Sequence, residues 1–181
     1  EARRDVAFLG SYSHAPNVDA VRWFVEQVMP LLRTVLPGVR LLVYGADVPR
    51  ELAQLACEDV RVEGFVEDVS KVYDSCRVFV APLRYGAGLK AKVAGALAHG
   101  TPCVLSPVAA QGLFADDDSA AAIADTPDEW VAAIRSYYSD HTRWASASSA
   151  AREQAIRRFS MARGVRRMAD ILRALDGRLI P

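Results

Sequence analysis

The sequence predicts an α/β protein built on a Rossmann-like, doubly wound parallel sheet of about six strands. Short apolar runs alternate with longer segments whose apolar residues recur every three or four positions, as they do on one face of a helix. The apolar runs are continuous rather than alternating, which is typical of strands covered on both faces. Glycine follows several of these runs, at the points where a strand gives way to a loop.

The first part of the chain contains three predicted strand–helix units. The long helix after the first strand carries one apolar stripe, and Pro30 inside it is expected to kink or divide it. Asn17 is the predicted N-cap of this helix, and Asp47 is the predicted cap of the helix after the second strand. The predicted strands cover residues 6–9, 39–44 and 60–63, and the predicted helices cover 18–35, 49–57 and a short stretch to residue 75 that Asp68 or Ser70 caps.

The second part continues the alternation and then becomes helical. With the strand order 3-2-1-4-5-6, the loops after strands one and four meet at the crevice where the order reverses, and open sheets bind ligands there. The predicted strands cover 78–81, 102–105 and, at the edge, 120–124; the predicted helices cover 89–99, 128–138, 142–159 and 161–175, the last capped by Ser160.

The central feature is a glycine loop between the fourth strand and its helix. Gly86 and Gly88 flank one small residue, and Arg84, Lys90 and Lys92 stand around the predicted start of the helix. Free N–H groups, the helix dipole and these cations favour an anion such as a diphosphate. The chain has 22 Lys and Arg residues together, and two of its few lysines are at this point. A plain tight turn is the alternative.

Composition excludes several classes of protein. The formal net charge is zero, which argues against a nucleic-acid binder. The sequence shows no apolar run of about 18 residues and no secretory signal, so we expect a cytoplasmic protein. Cys57, Cys76 and Cys103 form no CxxC pair, and we expect them to be reduced and mostly buried.

Other chemistry-bearing residues give weaker signals. Neither GxGxxG after the first strand nor GxxxxGK[ST] is present, which disfavours a nicotinamide, flavin or P-loop enzyme. His14 is a candidate contact for a phosphate or leaving group, with a plain surface residue as the alternative. His99 and His141 are expected to be structural or exposed. The acidic run at 116–118 is expected to be a solvated loop, so we predict no metal and no cofactor.

The C-terminal segment is rich in arginine. Residues 152–178 contain arginine at eight positions and only Glu153, Asp170 and Asp176 as acids. Such a segment could rest as a peripheral element on an anionic membrane surface. An arginine-rich, solvated helix face is the alternative.

Three segments, in this order, carry a family resemblance: FLGSYSHAPNVDAVRWF at 8–24, VEGFVEDVSKVYDSCRVFVAPLRYGAGLKAK at 62–92 and ALAHGTPCVLSPVAAQGL at 96–113. The chain resembles the C-terminal half of a GT-B glycosyltransferase of family 4 (group 1). The resemblance implies that residues 1–181 form one nucleotide-sugar-binding domain of a protein about twice as long. It also implies that the N-terminal half binds the acceptor, that the last helix packs back toward that half, and that the isolated domain is inactive.

The resemblance also implies where a nucleotide-sugar donor would lie. Cations and a helix dipole, rather than a metal, would stabilise the departing nucleoside diphosphate. The predicted diphosphate-binding residues are Gly10, Ser11, Arg84, Gly86, Ala87, Gly88, Leu89, Lys90 and Lys92. The residues predicted to lie by the nucleobase or ribose are Gly64, Phe65, Val66 and Gly95.

The sequence departs from the family at charged positions. Many members carry two glutamates eight positions apart, and Ala87 and Gly95 occupy those positions here. Many also carry an arginine after the first-strand glycine and a lysine several residues later, where this chain has Ser11 and, approximately, Asn17. A lost charged hydrogen bond to ribose costs about 1.5–3 kcal/mol. No catalytic residue is therefore assigned.

The resemblance implies a bacterial-type, hexosyltransferase-like enzyme of polysaccharide biosynthesis. It would move a sugar, with retention, from a UDP, GDP or dTDP donor to a glycan or lipid-linked acceptor. Because the acidic pair is missing, a non-catalytic GT-B-like nucleotide-binding or assembly module is the main alternative. A GT-B sugar-nucleotide epimerase is a third hypothesis, and it requires carboxylates and histidines that the sequence does not evidently supply.

Overall fold

The computed structural model describes residues 3–113 and 120–179. Its six strands form one sheet in the order β3-β2-β1-β4-β5-β6, and each neighbouring pair is parallel. The predicted fold class and strand order are therefore confirmed. The strands are β1 (Arg4–Leu9), β2 (Leu41–Tyr44), β3 (Val60–Gly64), β4 (Cys76–Ala81), β5 (Cys103–Leu105) and β6 (Ala121–Ile123).

Helices cover both faces of the sheet. The chain moves outward in opposite directions from β1 and from β4, so right-handed crossovers place the two sets of connecting helices on opposite faces. The helices are α1 (Ala15–Trp23), a π-helical segment (Phe24–Val28), α2 (Met29–Val35), α3 (Arg50–Ala53), α4 (Val69–Ser75), α5 (Ala91–Ala98), α6 (Pro107–Ala110), α7 (Pro127–Ser139), α8 (His141–Phe159) and α9 (Met161–Leu179).

The core lies between the sheet and these two helical layers. Phe8 of β1 and Phe79 of β4 are fully buried, as central strands of a covered parallel sheet should be. On one face, Trp130 of α7 packs edge-to-face on Phe24, with ring centroids 5.7 Å apart. On the other face, α8 packs against α5. The C-terminal helices thus complete the domain by covering both sides of the sheet.

The long helix after β1 is divided, as Pro30 predicted. Five residues of π-helix separate α1 from α2, and Pro30 lies in the first turn of α2. Proline has no N–H to donate to the preceding turn, so the hydrogen-bonding pattern must change there.

Two predicted caps are wrong. His14, not Asn17, is the N-cap of α1; Asn17 is the third residue of this helix and is buried. Helix α3 covers only four residues after Pro49, and Asp47 is not its cap, because its backbone has a φ of 60°. The predicted helix 49–57 was too long, because Cys57 N–H donates to Val60 C=O (2.9 Å) in the turn into β3.

Other boundaries follow the sequence more closely. Asp68 caps α4 as predicted, accepting a hydrogen bond from Ser70 N–H (3.0 Å). Ser160 accepts from Arg163 N–H (3.4 Å) at the start of α9. Helix α7 begins with a reciprocal capping box between Thr126 and Glu129, which the sequence analysis missed.

Two of the three cysteines are buried, as predicted: Cys76 and Cys103 are buried and Cys57 is exposed, and all three are free thiols. Within residues 3–113 and 120–179, no helix has the length and apolar character that crossing a membrane requires. The acidic run at 116–118 lies outside the described residues.

Candidate donor-binding site

A cavity of about 660 Å³ opens at the carboxyl edge of the sheet, where the strand order reverses. Open parallel sheets bind ligands at this point, because the loops after the strands diverge there. The loops after β1, β2, β3 and β4 line the cavity together with the start of α5. The predicted site residues that line it are Gly10, Ser11, His14, Phe65, Val66, Gly86, Ala87, Leu89, Lys90 and Lys92.

The charge of this cavity has one sign. Its charged or titratable lining groups are Lys90, Lys92, His14 and Tyr85, and none of the described lining residues is Asp or Glu. Apolar side chains supply most of the remaining lining. Such a cavity favours an anionic group attached to an apolar body.

Lys90 lies at the N-cap position of α5 and is only 8% exposed. Its Nζ donates a hydrogen bond to Gly88 C=O (2.7 Å). The amine is thereby held beside the glycine loop at the positive end of the helix dipole. An anion in the cavity would lie near both the amine and the positive end of this helix dipole.

Lys92 lies in the first turn of α5 and points toward the loop after β1. Its Nζ donates to Asn17 Oδ1 (2.5 Å) and lies 4.3 Å from the centre of the Phe8 ring. Burial, and secondarily the charge of Lys90, lowers the pKa of Lys92 to about 7. The amine is thus at the border between its charged and neutral forms near physiological pH.

The loop after β1 supports this amine. Asn17 Nδ2 donates to Ser11 C=O (2.6 Å), which turns the amide oxygen toward Lys92. Gly10 leaves the space that these groups need, because a Cβ there would lie 2.8 Å from Asn17 Cγ and 3.0 Å from Lys92 Nζ. Sequence reasoning named Asn17 as a helix cap and missed this contact; its approximate match to a family lysine was the available signal.

The glycine loop has the backbone geometry that glycine permits. Gly86 has a φ of +127° and Gly88 a φ of +80°, values that other residues adopt only with strain. Helix α5 begins at Ala91, two residues later than predicted, because Lys90 is not yet helical (ψ 81°). At the start of α5, Ala91 N–H donates to Leu89 C=O (3.1 Å) and Val93 N–H donates to Lys90 C=O (2.8 Å). The contact of Gly88 and Leu89 with a diphosphate stays a prediction.

Arg84 lies outside the cavity, unlike the other two predicted cations. Its guanidinium forms a two-contact ion pair with Asp19 of α1, one of them Nε to Oδ2 at 2.8 Å. Arg84 instead lines a smaller neighbouring cavity with Trp23 and Trp130. Arg84 is thus paired with a carboxylate and does not face the cavity. Its role in binding a ligand stays a prediction.

The predicted nucleobase turn contributes the apolar rim of the cavity. Phe65 and Val66 line it, and Phe65 is 75% exposed, whereas Gly64 does not line it and instead accepts a hydrogen bond from Gly45 N–H (2.7 Å). Leu89 also lines the cavity and is exposed. The sequence analysis missed two further exposed rim residues, Val69 and Tyr85, both adjacent to predicted loops.

Gly95 does not reach the cavity, and packing explains why glycine is present. A Cβ at this position would lie 2.8 Å from the Tyr73 hydroxyl and 2.9 Å from Tyr73 Cε2. Tyr73 is buried and also packs against Phe79. A glutamate in place of Gly95 would require the side chain of Tyr73 to move. Glycine avoids this clash, and it leaves this position without an acidic side chain. Ala87, the other expected acidic position, lines the cavity but carries no charge.

No metal site is evident in the described ranges, 3–113 and 120–179, where His, Cys, Asp and Glu form no group of three or more that could hold an ion. The chemistry available at the cavity is that of amines, backbone N–H groups and an imidazole. These groups bind and neutralise anions.

The chain belongs to the group 1 glycosyl transferases: the model of that family matches residues 3–140. No curated protein sequence matches the chain. The family assignment therefore rests on the match to the family model. The matched residues include all the described strands of the sheet and the residues that line the cavity.

Solved glycosyltransferase structures share the fold at low sequence identity. A mutant of S. aureus TarM, in complex with Fondaparinux, alpha-GlcNAc-glycerol and UDP, has a TM-score of 0.79 at 16% identity over 93% of this chain and 35% of its own. Anabaena Alr3699/HepE in complex with UDP has a TM-score of 0.78 at 17% identity over 96% of this chain and 50% of its own. WaaG, a glycosyltransferase involved in lipopolysaccharide biosynthesis, has a TM-score of 0.67 at 18% identity over 86% and 43%. The chain thus spans half of these structures or less.

Proposed function

We propose that this chain is the donor-binding domain of a cytoplasmic glycosyltransferase, and that its cavity holds a nucleoside-diphosphate sugar. The observation that carries the proposal is the acid-free cavity at the switch point of the sheet, with Lys90 and Lys92 beside the start of α5. Membership of the group 1 family supports it. HepE, a structural neighbour, is described in complex with UDP.

In this arrangement the diphosphate lies between the loop after β1 and the glycine loop. Lys90 neutralises one phosphate, and the first N–H groups of α5 donate to it. The nucleobase lies against the exposed ring of Phe65. As the sugar leaves, the same cations stabilise the charge that develops on the nucleoside diphosphate, with no metal required.

The reaction proposed for the full-length protein is transfer of the sugar, with retention, to a glycan or lipid-linked acceptor. The rest of the protein supplies the acceptor site, and this chain alone is inactive. WaaG, a fold neighbour involved in lipopolysaccharide biosynthesis, supports a biosynthetic setting of this kind.

Calorimetry on the full-length protein tests donor binding. We expect UDP, GDP or dTDP to bind, and Lys90→Met to weaken the tightest of them by about ten- to a hundred-fold, because a charged hydrogen bond contributes about 1.5–3 kcal/mol. Lys71→Met is a matched control, since Lys71 is an exposed lysine of α4 that does not line the cavity. No binding of any of the three nucleotides, or an unchanged affinity in Lys90→Met, would refute the proposal.

The absence of acids from the described cavity lining favours a second candidate, a non-catalytic nucleotide-binding or assembly module. Incubation with donor sugars distinguishes the two. Release or transfer of the sugar supports the enzyme, whereas nucleotide binding with neither reaction supports the module. Formation of an epimer from UDP-GlcNAc would instead indicate a sugar-nucleotide epimerase.

Helix α9 suggests where the rest of the protein lies. Ile171 of this helix is 48% exposed, and five further apolar side chains recur every three or four residues and are each at least half exposed: Met161, Val165, Met168, Leu172 and Leu175. The structural neighbours are two to three times longer than their match to this chain, which leaves room for a further domain over the stripe. We therefore propose that the remaining part of the full-length protein covers it.

Hydrogen exchange tests this packing. Amides of residues 161–175 should exchange more slowly in the full-length protein than in the 181-residue chain. The arginines of α9 make an anionic membrane the competing partner. Binding of the full-length protein to phosphatidylserine vesicles, without protection of 161–175 in their absence, would assign the stripe to the membrane.

A further inference from the structure

Lys92 differs from Lys90 in what surrounds its amine. The Lys90 amine has a backbone carbonyl of the glycine loop as its partner. The Lys92 amine has one neutral amide oxygen, that of Asn17, and the face of the Phe8 ring. The backbone of Gly10 lies so close to this amine that a Cβ there would be 3.0 Å from Nζ, and Lys92 also lines the cavity.

The charged and titratable groups that face this amine are few. The charge of Lys90 acts on it from α5. His14 at the N-terminus of α1 and Tyr85 in the glycine loop are the other titratable residues among the described residues that line the cavity. The nearby carboxylate on α1, Asp19, is paired with Arg84. Among the described residues that line the cavity, then, nothing anionic offsets a positive charge on Lys92.

We propose that Lys92 is a proton-coupled binding residue: its amine takes up a proton from solvent as the diphosphate of the donor enters the cavity. The inference rests on the proposed function of the cavity. No covalent bond changes; one proton moves from buffer to Nζ, and the ammonium then pairs with the phosphate oxygens.

The physical reason is the change in what surrounds the amine. In the ligand-free cavity, burial and the charge of Lys90 lower the pKa of Lys92 to about 7, so the amine is mostly neutral at pH 8. A phosphate dianion beside the amine favours the ammonium and raises this pKa. By linkage, the affinity for the anion must fall as pH rises above 7, by up to tenfold per pH unit, until the pKa of the complex is reached.

Asn17 is the positioning residue in this device. It is 8% exposed, and its amide is fixed by the bond from Nδ2 to Ser11 C=O (2.6 Å). Its oxygen can accept from a neutral amine as well as from an ammonium, so Lys92 keeps this partner in both protonation states. A carboxylate at this position would hold the amine permanently charged and remove the coupling.

Proton uptake is measured by calorimetry of the full-length protein at pH 8 in Tris and in HEPES, whose ionisation enthalpies differ. The probe is the tightest binder among UDP, GDP and dTDP; its terminal phosphate, with a second pKa of about 6, is already deprotonated at this pH. We expect uptake of close to one proton per bound nucleotide at pH 8 and a much smaller value at pH 6.

Three variants assign the proton. Uptake should disappear in Lys92→Met and persist in Lys71→Met and in His14→Gln. Binding with the same enthalpy in both buffers would overturn the inference and leave the proposed function standing. Uptake that persists in Lys92→Met and disappears in His14→Gln would also overturn it. No binding of any of the three nucleotides would overturn the proposed function itself.

Discussion

The amino and carboxyl edges of the sheet differ in how their charged side chains are paired. At the amino edge, Asp5 accepts from the backbone N–H (3.1 Å) and the guanidinium (Nη2, 2.5 Å) of Arg40, and Arg3 lies 3.5 Å from Asp74. At the carboxyl edge, Lys90 and Lys92 contact only neutral oxygens. The amino edge even has the larger cavity, about 740 Å³ against about 660 Å³. The pairing of charges, rather than the size of the cavity, therefore distinguishes the amino edge, where charged side chains stabilise the fold, from the carboxyl edge, where they are available to a ligand.

Arg3 shows what the paired charges do. Its guanidinium donates to Tyr73 C=O (2.8 Å), Thr101 Oγ1 (2.6 Å) and His99 C=O (2.9 Å). Tyr73 lies just before β4, and His99 and Thr101 lie just before β5. The Arg3 side chain therefore links the segments that lead into these two strands to the start of β1. Lys90 and Lys92 have no carboxylate partner among the described residues that line the cavity, and the burial of their amines costs stability that a bound anion would offset.

The largest effect should come from breaking a pair at the amino edge. Asp5 is 6% exposed, and Asp5→Ala leaves the Arg40 guanidinium and backbone N–H without their carboxylate. We expect the free energy of unfolding to fall clearly, because a buried carboxylate and its contacts are lost, although the exposure of Arg40 moderates the effect. Urea denaturation of the 181-residue chain measures this.

Asp5→Asn is the matched variant for that experiment. Asp5 has a φ of 60°, which asparagine tolerates better than alanine, so Asn isolates the loss of charge from backbone strain. It should cost clearly less than Asp5→Ala. Nucleotide affinity should stay within about twofold in both variants. Equal unfolding midpoints for Asp5→Ala and the unmodified chain would contradict the structural role of this pair.

The opposite result is expected at the carboxyl edge, where Lys92→Met should stabilise the domain below pH 7. The folded pKa of Lys92, about 7, is below its ordinary value of 10.5, so the unfolded chain binds more protons between these values. The free energy of unfolding of the unmodified chain therefore rises with pH in this window, by at most about 1.4 kcal/mol per pH unit. The stabilising effect of Lys92→Met is largest below pH 7 and shrinks toward pH 10.

Denaturation curves at pH 6, 8 and 10 measure this difference. Lys71→Met is again the control, because Lys71 is exposed at the opposite edge and should give a small, pH-independent change. If Lys92→Met destabilised the chain equally at all three pH values, the amine would be a packing element, and the contrast between the edges would be lost.

The sheet and its cavity were predictable because their signals are local. Continuous apolar runs ending in glycine specify strands of a covered parallel sheet, and the strand order then fixes the crevice. Two glycines beside Lys90 and Lys92 marked the anion site within that crevice. These features depend on residues close together in sequence, and the structure confirms the fold they predict.

The contacts that the sequence did not reveal depend on partners far away in sequence. From the sequence, Asn17 is predicted to be a helix cap. In the structure its amide oxygen accepts a hydrogen bond from Lys92, which is distant in the chain. Gly95 occupies a position where many family members carry an acid. The structure shows that a Cβ at this position would lie 2.8 Å from the Tyr73 hydroxyl. Arg84 is predicted to bind the diphosphate, and its ion pair with Asp19 of α1 is visible only in the structure. Each case needed the tertiary packing that brings helix α1 or α4 against the glycine loop and α5.

The smallest effect concerns Arg84, which carries a charge pair at the otherwise unpaired edge. The Arg84 side chain is 53% exposed, so Asp19→Asn should lower the free energy of unfolding only slightly. Releasing the guanidinium lets it reach the diphosphate, and we expect nucleotide binding to tighten by about threefold. Calorimetry measures this, and the gain should vanish in Asp19→Asn combined with Arg84→Ala. If Asp19→Asn leaves the affinity unchanged, Arg84 belongs with the structural pairs, and the diphosphate site consists of Lys90, Lys92 and the start of α5 alone.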